Sequence, residues 1–436
     1  MIIPTGRFYG VFALGIIGAG LLAQWWPQGQ TLIALGVYDG LWLMVMILDS
    51  LQARQRRVSL KRQPLEKLSI GRDNPITLTV TAGKHPATVQ LRDHAPPLPV
   101  STQTFTLTLA PQEQQDLIYT IHPQQRGMIA WGPIQARQRG PWGLGVWDWR
   151  EPAAQTVAVY PDLVGLRSLS IRLALQNTGT IRQARALGQG TEFRELREYN
   201  SGDDLRLIDW KATARRSHPL IRVLEPEREQ TLIILLDQGR LMTAQVQGLQ
   251  RFDWGLNATL ALAMAGLNRG DRVGVGVFDT HLNTWLPPER GPQRLGQILE
   301  ALTPLQPTFT EPDYFGTINQ IIRQQTRRAL VVLLTDLVDA IASAELLTAL
   351  TRLAPRYLPF CVTLRDPQVD HCAHQPLTAD PAKAYTQAVA LDLLQQRAAT
   401  FATLKRQGVL VLDAPANQIS DQLVTAYLQL KARNRL

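Results

Sequence analysis

Cysteine is scarce in this sequence, and several short catalytic motifs are missing. Its 436 residues include two cysteines, Cys361 and Cys372, which excludes a disulfide-stapled secreted scaffold and indicates a reducing compartment. There is no P-loop pattern G-x-x-x-x-G-K-[ST], no H-E-x-x-H and no G-x-S-x-G. The sequence therefore gives no support to a P-loop nucleotidase, an H-E-x-x-H zinc peptidase or a hydrolase with a serine nucleophile elbow.

Charged residues are also few, at 19% of the chain, whereas hydrophobic residues make up 45% and the formal net charge is +9. This length and composition fit two or three folded domains together with some membrane sequence. A net positive charge of this size is compatible with binding to nucleic acid, binding to an anionic membrane surface, or cytoplasmic loops beside membrane spans.

Two apolar runs near the N-terminus predict two transmembrane helices within residues 1–57. Residues 8–26 carry no charge, and residues 31–48 carry only Asp39. Each run is close to the ~20 residues that cross a bilayer as a helix, and Trp25 and Trp26 fall where interfacial aromatic residues are common. We predict a helical hairpin; a cleaved signal peptide is the disfavoured alternative, because a second apolar run follows at once.

Basic residues predict the orientation of this hairpin. Arg7 precedes the first run, the connection has no basic residue, and lysines and arginines follow the second run: Arg54, Arg56, Arg57, Lys61, Arg62 and Lys67. The positive-inside rule then places both ends, and the chain after residue 50, in the cytoplasm. We predict a multi-pass protein of the plasma or inner membrane whose bulk is cytoplasmic, which also accounts for much of the net charge.

Asp39 is the one acidic residue inside the predicted spans. An ionised carboxylate at the centre of a membrane helix costs roughly 2.5–3.5 kcal/mol on insertion scales. A proton or ion site, or a contact with a partner helix, is the functional interpretation. Because no second intramembrane charge is available for a relay, we favour a side chain that is protonated or hydrogen-bonded within the hairpin.

Residues 58–162 alternate apolar and polar side chains in short runs separated by glycine and proline, which predicts a small antiparallel β-sandwich. The last part of this region carries a group of tryptophans: Trp131, Trp142, Trp147 and Trp149. Stacking on single-stranded nucleic acid or sugar is one interpretation. Closing the edge of a small core is the interpretation that we favour.

Residues 163–230 form a predicted charged linker or brace between domains. A helix over residues 204–215, capped by Asp203, and a strand over 220–224 are predicted inside it. Interleaved arginines and carboxylates favour an ordered ion-pair network for partner recognition or geometry, since exposed pairs contribute only about 0–1 kcal/mol; catalysis by paired carboxylates is the disfavoured alternative. The residues assigned to this role are Arg197, Glu198, Tyr199, Gly202, Asp203, Arg206, Asp209, Trp210 and Arg215.

From residue 231 to 436, strand and helix patterns alternate, which predicts a mostly parallel, doubly wound α/β sheet. Two predicted strands end in aspartates, TLIILLD at Asp237 and ALVVLLTD at Asp336. Ligands of such sheets bind at the carboxyl ends of the strands. We therefore expect these two carboxylates to be neighbours at the point where the strand order reverses.

A family resemblance rests on a long central segment. The run G-x-G-x-E-F-x-x-L-R-E-Y-x-x-G-D-D-x-R-x-I-D-W-K-A-x-A-R at residues 188–215 resembles the defining segment of the Domain of Unknown Function 58 family, as do the patterns at residues 126–133 and 141–144. The resemblance implies that the last domain is similar to a von Willebrand factor A domain. It also implies association with MoxR-type AAA+ ATPases, and the family has no assigned catalytic activity.

The resemblance further implies a place for a metal ion. Many von Willebrand factor A domains bind Mg²⁺ through D-x-S-x-S, a later threonine and an aspartate, and oxygen ligands suit this hard cation. The corresponding residues here are Asp237, Gly239, Leu241, Thr308 or Thr310, and Asp336. Glycine and leucine offer no side-chain oxygen at the two serine positions, so the alternative is that backbone amides or arginines hold the two aspartates.

The sequence thus predicts a non-catalytic interaction or scaffold protein that needs no cofactor and faces the cytoplasm from a membrane anchor. By resemblance, its partner is a MoxR-type AAA+ ATPase. The first alternative is a divalent-metal-dependent adhesion domain or hydrolase that uses Asp237 and Asp336. The second is a nucleic-acid binder that uses the basic surface and the tryptophans.

Overall fold

The protein is described by a computed structural model that covers residues 1–65, 67–95, 104–184, 192–201, 203–216, 218–225, 230–337, 344–354, 356–376 and 380–433. The chain folds into two compact units. The first unit is Met1–Tyr160 and the second is Pro161–Leu436.

The first unit begins with a helical hairpin. Helix α1 spans Gly6–Leu22 and helix α2 spans Gln28–Gln55. The two helices touch where the hydroxyl of Tyr38 donates to the carbonyl of Val11 at 3.1 Å. Most of the large apolar side chains of the hairpin nevertheless face outward, and those exposed include Leu14, Ile17, Leu21, Trp25, Leu32, Ile33, Val37 and Met44.

Helix α2 is long and apolar enough to cross a membrane over Gly29–Gln55, whereas α1 is a shorter apolar helix. One N-terminal helix of membrane-spanning length is therefore confirmed. The two helices run over Gly6–Leu22 and Gln28–Gln55, whereas the spans were predicted at residues 8–26 and 31–48. The first helix ends at Leu22, and Pro27, which has no N–H to give, sets the start of α2. The second helix continues past residue 48 because glutamine, alanine and arginine there are good helix formers.

The antiparallel sheets predicted after residue 57 are confirmed. They are ordered β1-β10-β9-β5-β6, β2-β4-β7 and β3-β11-β8, and among their strand pairs β3 with β11 is parallel. The strands are β1 (Ile2–Pro4), β2 (Ser59–Arg62), β3 (Leu68–Ser69), β4 (Asn74–Thr81), β5 (Ala87–Asp93), β6 (Thr104–Leu109), β7 (Gln114–Ile121), β8 (Gly127–Trp131), β9 (Ile134–Arg139), β10 (Gly145–Glu151) and β11 (Gln155–Tyr160). Strand β1 was not predicted, because three residues ahead of a helix carry no periodic signal.

A buried carboxylate joins α2 to these sheets. Asp49 is fully buried, and its Oδ1 accepts a hydrogen bond from the amide of Trp142 at 2.8 Å. Its Oδ2 accepts from the amides of Leu144 at 2.8 Å and Gly145 at 2.9 Å. These bonds fix the turn before β10 against the end of α2. The pattern at residues 141–144 therefore has a structural reason.

The second unit is built on a six-stranded sheet of order β18-β17-β14-β19-β20-β21, parallel except for β18, which pairs antiparallel with β17. Its strands are β14 (Thr231–Asp237), β17 (Arg272–Phe278), β18 (Leu282–Glu289), β19 (Leu330–Thr335), β20 (Leu358–Arg365) and β21 (Leu410–Pro415), and a small ribbon is formed by β15 (Gln245–Val246) and β16 (Leu249–Gln250). Strand β14 lies at the reversal of strand order, as predicted for the strand that ends in Asp237.

Helices cover both faces of this sheet. Alternate residues of β14 enter opposite cores: Ile234 lies with Phe252 and Ile419, whereas Ile233 lies with Ile318 and Phe401. The helices are α5 (Arg251–Asn268), α6 (Arg294–Leu302), α7 (Tyr314–Gln324), α8 (Ala344–Leu353), α9 (Pro367–Ala373), α10 (Pro381–Arg406) and α11 (Ile419–Ala432). The mixed α/β class predicted for residues 231–436 is therefore confirmed.

The region predicted as a linker differs from the prediction. Residues Leu163–Ala184 form helix α3, whose Leu169 and Leu173 are buried in the core of the second unit. Beyond it lie β12 (Glu192–Glu198), α4 (Trp210–Arg216) and β13 (Leu220–Glu225), and β12 pairs antiparallel with β13. The leucine spacing of α3 is helical, but its interleaved arginines, serines and polar residues weaken the periodic signal.

Candidate functional site

Asp237 stands at the carboxyl end of the sheet, as predicted, and is fully buried. Its Oδ2 accepts hydrogen bonds from the hydroxyls of Thr335 at 2.6 Å and Tyr314 at 2.9 Å, and its Oδ1 accepts from the amide of Gly239 at 2.7 Å. Burial raises the pKa of Asp237, and the nearby Asp336 carboxylate adds to this, whereas the three donors oppose it. The side chain is thus held by the protein on both oxygens.

The raised pKa of Asp237 predicts a pH-dependent stability. The stabilisation from protonated Asp237 is fully present below the ordinary carboxyl pKa of about 3.9 and is lost as pH rises through the raised pKa of the folded protein. Asp237→Asn should therefore gain stability relative to wild type as pH rises from about 4 to neutral. Urea midpoints over a pH series measure this, with exposed Asp392→Asn as control; a difference that does not change with pH would contradict it.

Asp336 follows β19 and is paired with two arginines from distant helices. Its Oδ1 accepts from Arg397 Nη1 at 2.8 Å and its Oδ2 lies 2.7 Å from Arg251 Nη1. Arg397 also donates to Asp413 at 2.9 Å. Burial acts to lower the pKa of Arg397, but the two adjacent carboxylates raise it above its ordinary value. This edge of the sheet is therefore a neutralised network of carboxylates and guanidiniums.

The residues at this edge do not fit the Mg²⁺ site that the resemblance implies. A Cβ added at Gly239 would lie 2.9 Å from both Pro312 Cδ and the carbonyl oxygen of Thr310, so a serine there needs a backbone shift. Both aspartates already have protein donors on both oxygens. Within the described ranges, no group of three or more His, Cys, Asp or Glu side chains could hold a metal ion.

The two threonines considered as metal ligands flank an aromatic side chain that the sequence reasoning missed. Thr308 donates its amide to the Gln238 carbonyl at 2.7 Å, and the carbonyl of Thr310 accepts from the Arg240 amide at 2.9 Å. Between them Phe309 is 84% exposed. A loop pinned on both sides thus presents an aromatic ring at the carboxyl edge of the sheet.

Charged side chains in the segment predicted to form ion pairs do pair with one another. Arg197 contacts Asp203 at 2.6 Å, and Asp209 contacts Arg222 at 2.9 Å, a partner that was not predicted. The hydrogen bond from Arg197 lowers the pKa of Asp203. For Asp209 the amide of Ala212 has the largest lowering effect on the pKa. Glu198 lies 3.5 Å from His218. The carboxylates of Asp203 and Asp209 are thus each paired with an arginine of the same segment.

The helix predicted over residues 204–215 is two shorter elements. Asp204 accepts from the amide of Arg206 and caps a single 3₁₀ turn at Leu205–Leu207. Asp209 accepts from the amides of Lys211 and Ala212 and so caps α4. Each cap starts its own element, and Ile208 between them is extended, so one continuous helix does not form. Asp203, the predicted cap, instead holds Arg197 and the amide of Asn200.

The other residues assigned to this segment differ in exposure. Trp210 is 70% exposed at the first position of α4, and Leu205 is 64% exposed. Tyr199 is half-buried, whereas Arg206 and Arg215 are exposed and, within the described part of the chain, make no side-chain ion pair. Gly202 lies outside the described residues. The segment therefore pairs many of its charges internally and leaves a tryptophan at its surface.

The tryptophans of the first unit do not share one environment. Trp131 is 2% exposed, and the guanidinium of Arg62 lies over its ring at 5.7 Å. Arg54 lies over Trp147 at 5.2 Å. Trp149 is partly buried against the β5 core, and Trp142 is 51% exposed. Trp131 is buried and the ring of Trp147 is covered by a cation, so neither of these two offers a free face to a base.

Uncharacterized mycobacterial proteins, one from Mycobacterium bovis and two from strains of Mycobacterium tuberculosis, are similar to this chain. Each is 26% identical over 183 residues, which are 42% of this chain and 57% of the relative. The chain thus matches little more than half the length of these relatives.

Likenesses to solved structures are weak. The CARDB domain of a Pyrococcus furiosus protein, in complex with di-metal ions, is 14% identical over 22% of this chain and 93% of that chain, with a TM-score of 0.15. A putative beta-galactosidase from Bacteroides fragilis is 11% identical over 71% of this chain and 39% of that chain, with a TM-score of 0.15. Scores of this size carry no argument about fold or function.

One family model spans the two sites described above. It begins within β12, takes in the charged segment and the edge that holds Asp237 and Asp336, and ends within β21. The charged segment and the sheet thus recur together in one family. Over residues 195–411 the chain matches the family described as a protein of unknown function, DUF58.

Proposed function

We propose that this protein is a non-catalytic interaction protein, anchored in a membrane by its N-terminal hairpin, that binds a partner protein through its second unit. The observation that carries the proposal is Trp210, an exposed tryptophan on a helix whose start is fixed by Asp209. Tryptophan is among the residues most enriched at the energetic centres of protein interfaces. An ordered, exposed tryptophan loses little conformational entropy on binding.

The membrane part of the proposal is supported by the surface of the hairpin. Apolar side chains such as Ile17, Ile33, Val37 and Met44 point away from the rest of the first unit. Water disfavours such a surface, and lipid favours it. Basic residues after α2 and their absence from the connection favour a hairpin with both ends in the cytoplasm, and hence a multi-pass arrangement.

We also propose that the protein binds its partner without a metal ion. Asp336 is neutralised by Arg251 and Arg397, and Asp237 is held by hydroxyl and amide donors. These carboxylates are buried and already compensated, so the proposed binding through Trp210 needs no bridging cation. By the resemblance given above, the partner is a AAA+ ATPase of the MoxR type.

The proposal predicts that Trp210→Ala lowers binding of the ATPase at least about tenfold, because removing an interface centre costs about 2 kcal/mol or more. The measurement is copurification of the full-length protein from its native membrane, with the ATPase quantified by mass spectrometry. Trp142→Ala, which also removes an exposed tryptophan, is the matched control and should leave recovery unchanged.

Equal recovery with Trp210→Ala and wild type would refute this docking site. Recovery of no AAA+ ATPase by wild type would refute the partner. Asp209→Ala is the less informative variant, since Asp209 caps α4 and holds Arg222, so that its loss removes the platform together with the contact.

A further inference from the structure

An apolar groove lies on the second unit between helices α3, α5 and α6. Its volume is about 350 Å³, within the range of roughly 300–1,000 Å³ that is common for small-molecule sites. Its walls are formed mainly by Leu163 and Leu166 of α3, Leu260 and Met264 of α5, and Leu299 of α6. Nothing in the proposed docking through Trp210 uses this groove.

A cation, Arg167, stands at the groove. Arg167 lines it and is exposed, and in the described part of the chain its guanidinium forms no hydrogen bond or ion pair. Arg172, on the same helix, is instead paired with Asp421 at 2.6 Å. The hydroxyl of Ser170, also at the groove, donates to the Arg167 carbonyl. The groove therefore combines an apolar wall with one unused guanidinium.

The outer surface of α3 has the composition of a helix at a membrane surface. Residues 163–184 contain arginines but no acidic residue. On the side away from the core, Val164 and Ile171 are 54% and 56% exposed. Only Pro161 and Asp162 separate α3 from β11, the last strand of the unit that carries the apolar hairpin. Helices with basic and apolar exposed residues bind anionic lipid surfaces.

We propose that the groove binds an acyl chain of an anionic membrane phospholipid, with the lipid phosphate held by Arg167. Guanidinium is suited to phosphate because its fixed N–H groups can donate two parallel hydrogen bonds. The apolar walls match a hydrocarbon chain, and exposed Val164 and Ile171 would contact the bilayer beside it. The inference rests on the membrane anchoring proposed above and is independent of the protein partner.

The test uses the full-length protein in vesicles of phosphatidylcholine that contain phosphatidylglycerol with a photoreactive acyl chain. After irradiation, peptide mass spectrometry locates the lipid adducts. Adducts are expected on peptides that contain residues 163–170 and 260–264, in addition to those of the hairpin. Arg167→Gln should reduce the groove adducts at least about fivefold without changing hairpin adducts, and Arg172→Gln, the matched control, should change neither.

A second variant, Met264→Trp, fills the groove and should also reduce its adducts. Adducts confined to residues 6–55 would overturn the groove proposal while supporting the membrane anchor, and no adducts anywhere would overturn both. Equal labelling of the groove by a photoreactive phosphatidylcholine, which has the same phosphate but no net charge, would overturn the preference for an anionic lipid. Groove labelling that Arg167→Gln leaves unchanged would overturn the role of Arg167. A copurified polypeptide in the groove, detected as a bound species by native mass spectrometry, would overturn lipid as the occupant.

Discussion

Arg397→Met is expected to lower the free energy of unfolding of the second unit by about 3–5 kcal/mol, the usual loss when one partner of a buried ion pair is removed. Arg397 and Asp336 are 5% and 2% exposed. The methionine would fill most of the space but would leave the carboxylates of Asp336 and Asp413 without their shared cation. Arg251 alone would remain to compensate Asp336.

Urea unfolding of the full-length protein, followed by tryptophan fluorescence, to which Trp210, Trp254 and Trp285 of this unit contribute, measures the effect. Arg172→Met is the matched control, because its pair with Asp421 is exposed and such pairs contribute only about 0–1 kcal/mol. Adding Asp336→Asn to Arg397→Met should recover part of the loss by removing the unpaired charge. Equal losses of unfolding free energy for Arg397→Met and Arg172→Met would show that the buried ion pairs stabilise the unit no more than an exposed pair does.

Asp49→Ala is expected to release the turn before β10 from the end of α2. The substitution removes the acceptor of three backbone amides, of which those of Leu144 and Gly145 are buried. An unsatisfied buried donor costs about 1–3 kcal/mol, so two of them lower the stability of the first unit by roughly 2–6 kcal/mol. Asp49→Asn should have a smaller effect, because its carbonyl oxygen can still accept.

Limited proteolysis of the detergent-solubilised protein provides the measurement, since cleavage near residues 140–145 reports opening of the turn. Asp73→Ala, which removes an exposed carboxylate beside His122, should leave the cleavage rate unchanged. A wild-type rate for Asp49→Ala would mean that Asp49 does not hold the turn. Faster cleavage throughout the second unit as well would indicate general unfolding instead of local release.

These two expected results locate the rigid parts of the proposed scaffold. Asp49 fixes the start of β10 to the helix of membrane-spanning length, and Arg397 closes the carboxyl edge of the sheet. In both places a charged side chain is buried where it holds backbone or carboxylate groups in position. Trp210 and Phe309 are exposed, and Trp210 is the residue that we propose contacts a partner.

The second unit was the most predictable part of the chain. Strands β14 and β19 are buried on both faces, and parallel strands of this kind read as uninterrupted apolar runs in any sequence. Their end points are marked by Asp237 and Asp336, so the sequence also located the carboxyl edge. In the first unit, side chains alternate between core and surface, as in β4 with its buried Ile76, Leu78 and Val80. This alternation is a pattern of neighbouring residues and can therefore also be recognised in the sequence.

Helix α3 and the start of the charged segment were harder to predict. The core positions Leu169 and Leu173 lie among arginines and serines, which obscure the apolar face. After β12, the chain could form one helix or two shorter elements. The outcome depends on which carboxylate accepts a hydrogen bond from which backbone amide. Aspartate is a favoured N-cap at both position 204 and position 209, so local preference does not show where a helix begins.

The sequence by itself determined the apolar hairpin, the alternating elements and the aspartates at the ends of two strands, because each is a pattern of neighbouring residues. Only the tertiary structure decided which groups meet the buried carboxylates. Arg397 meets Asp336 across 61 positions, and Leu144 meets Asp49 across 95. Such pairs form because folding removes water from both groups and leaves each as the nearest partner of the other, which no local pattern encodes.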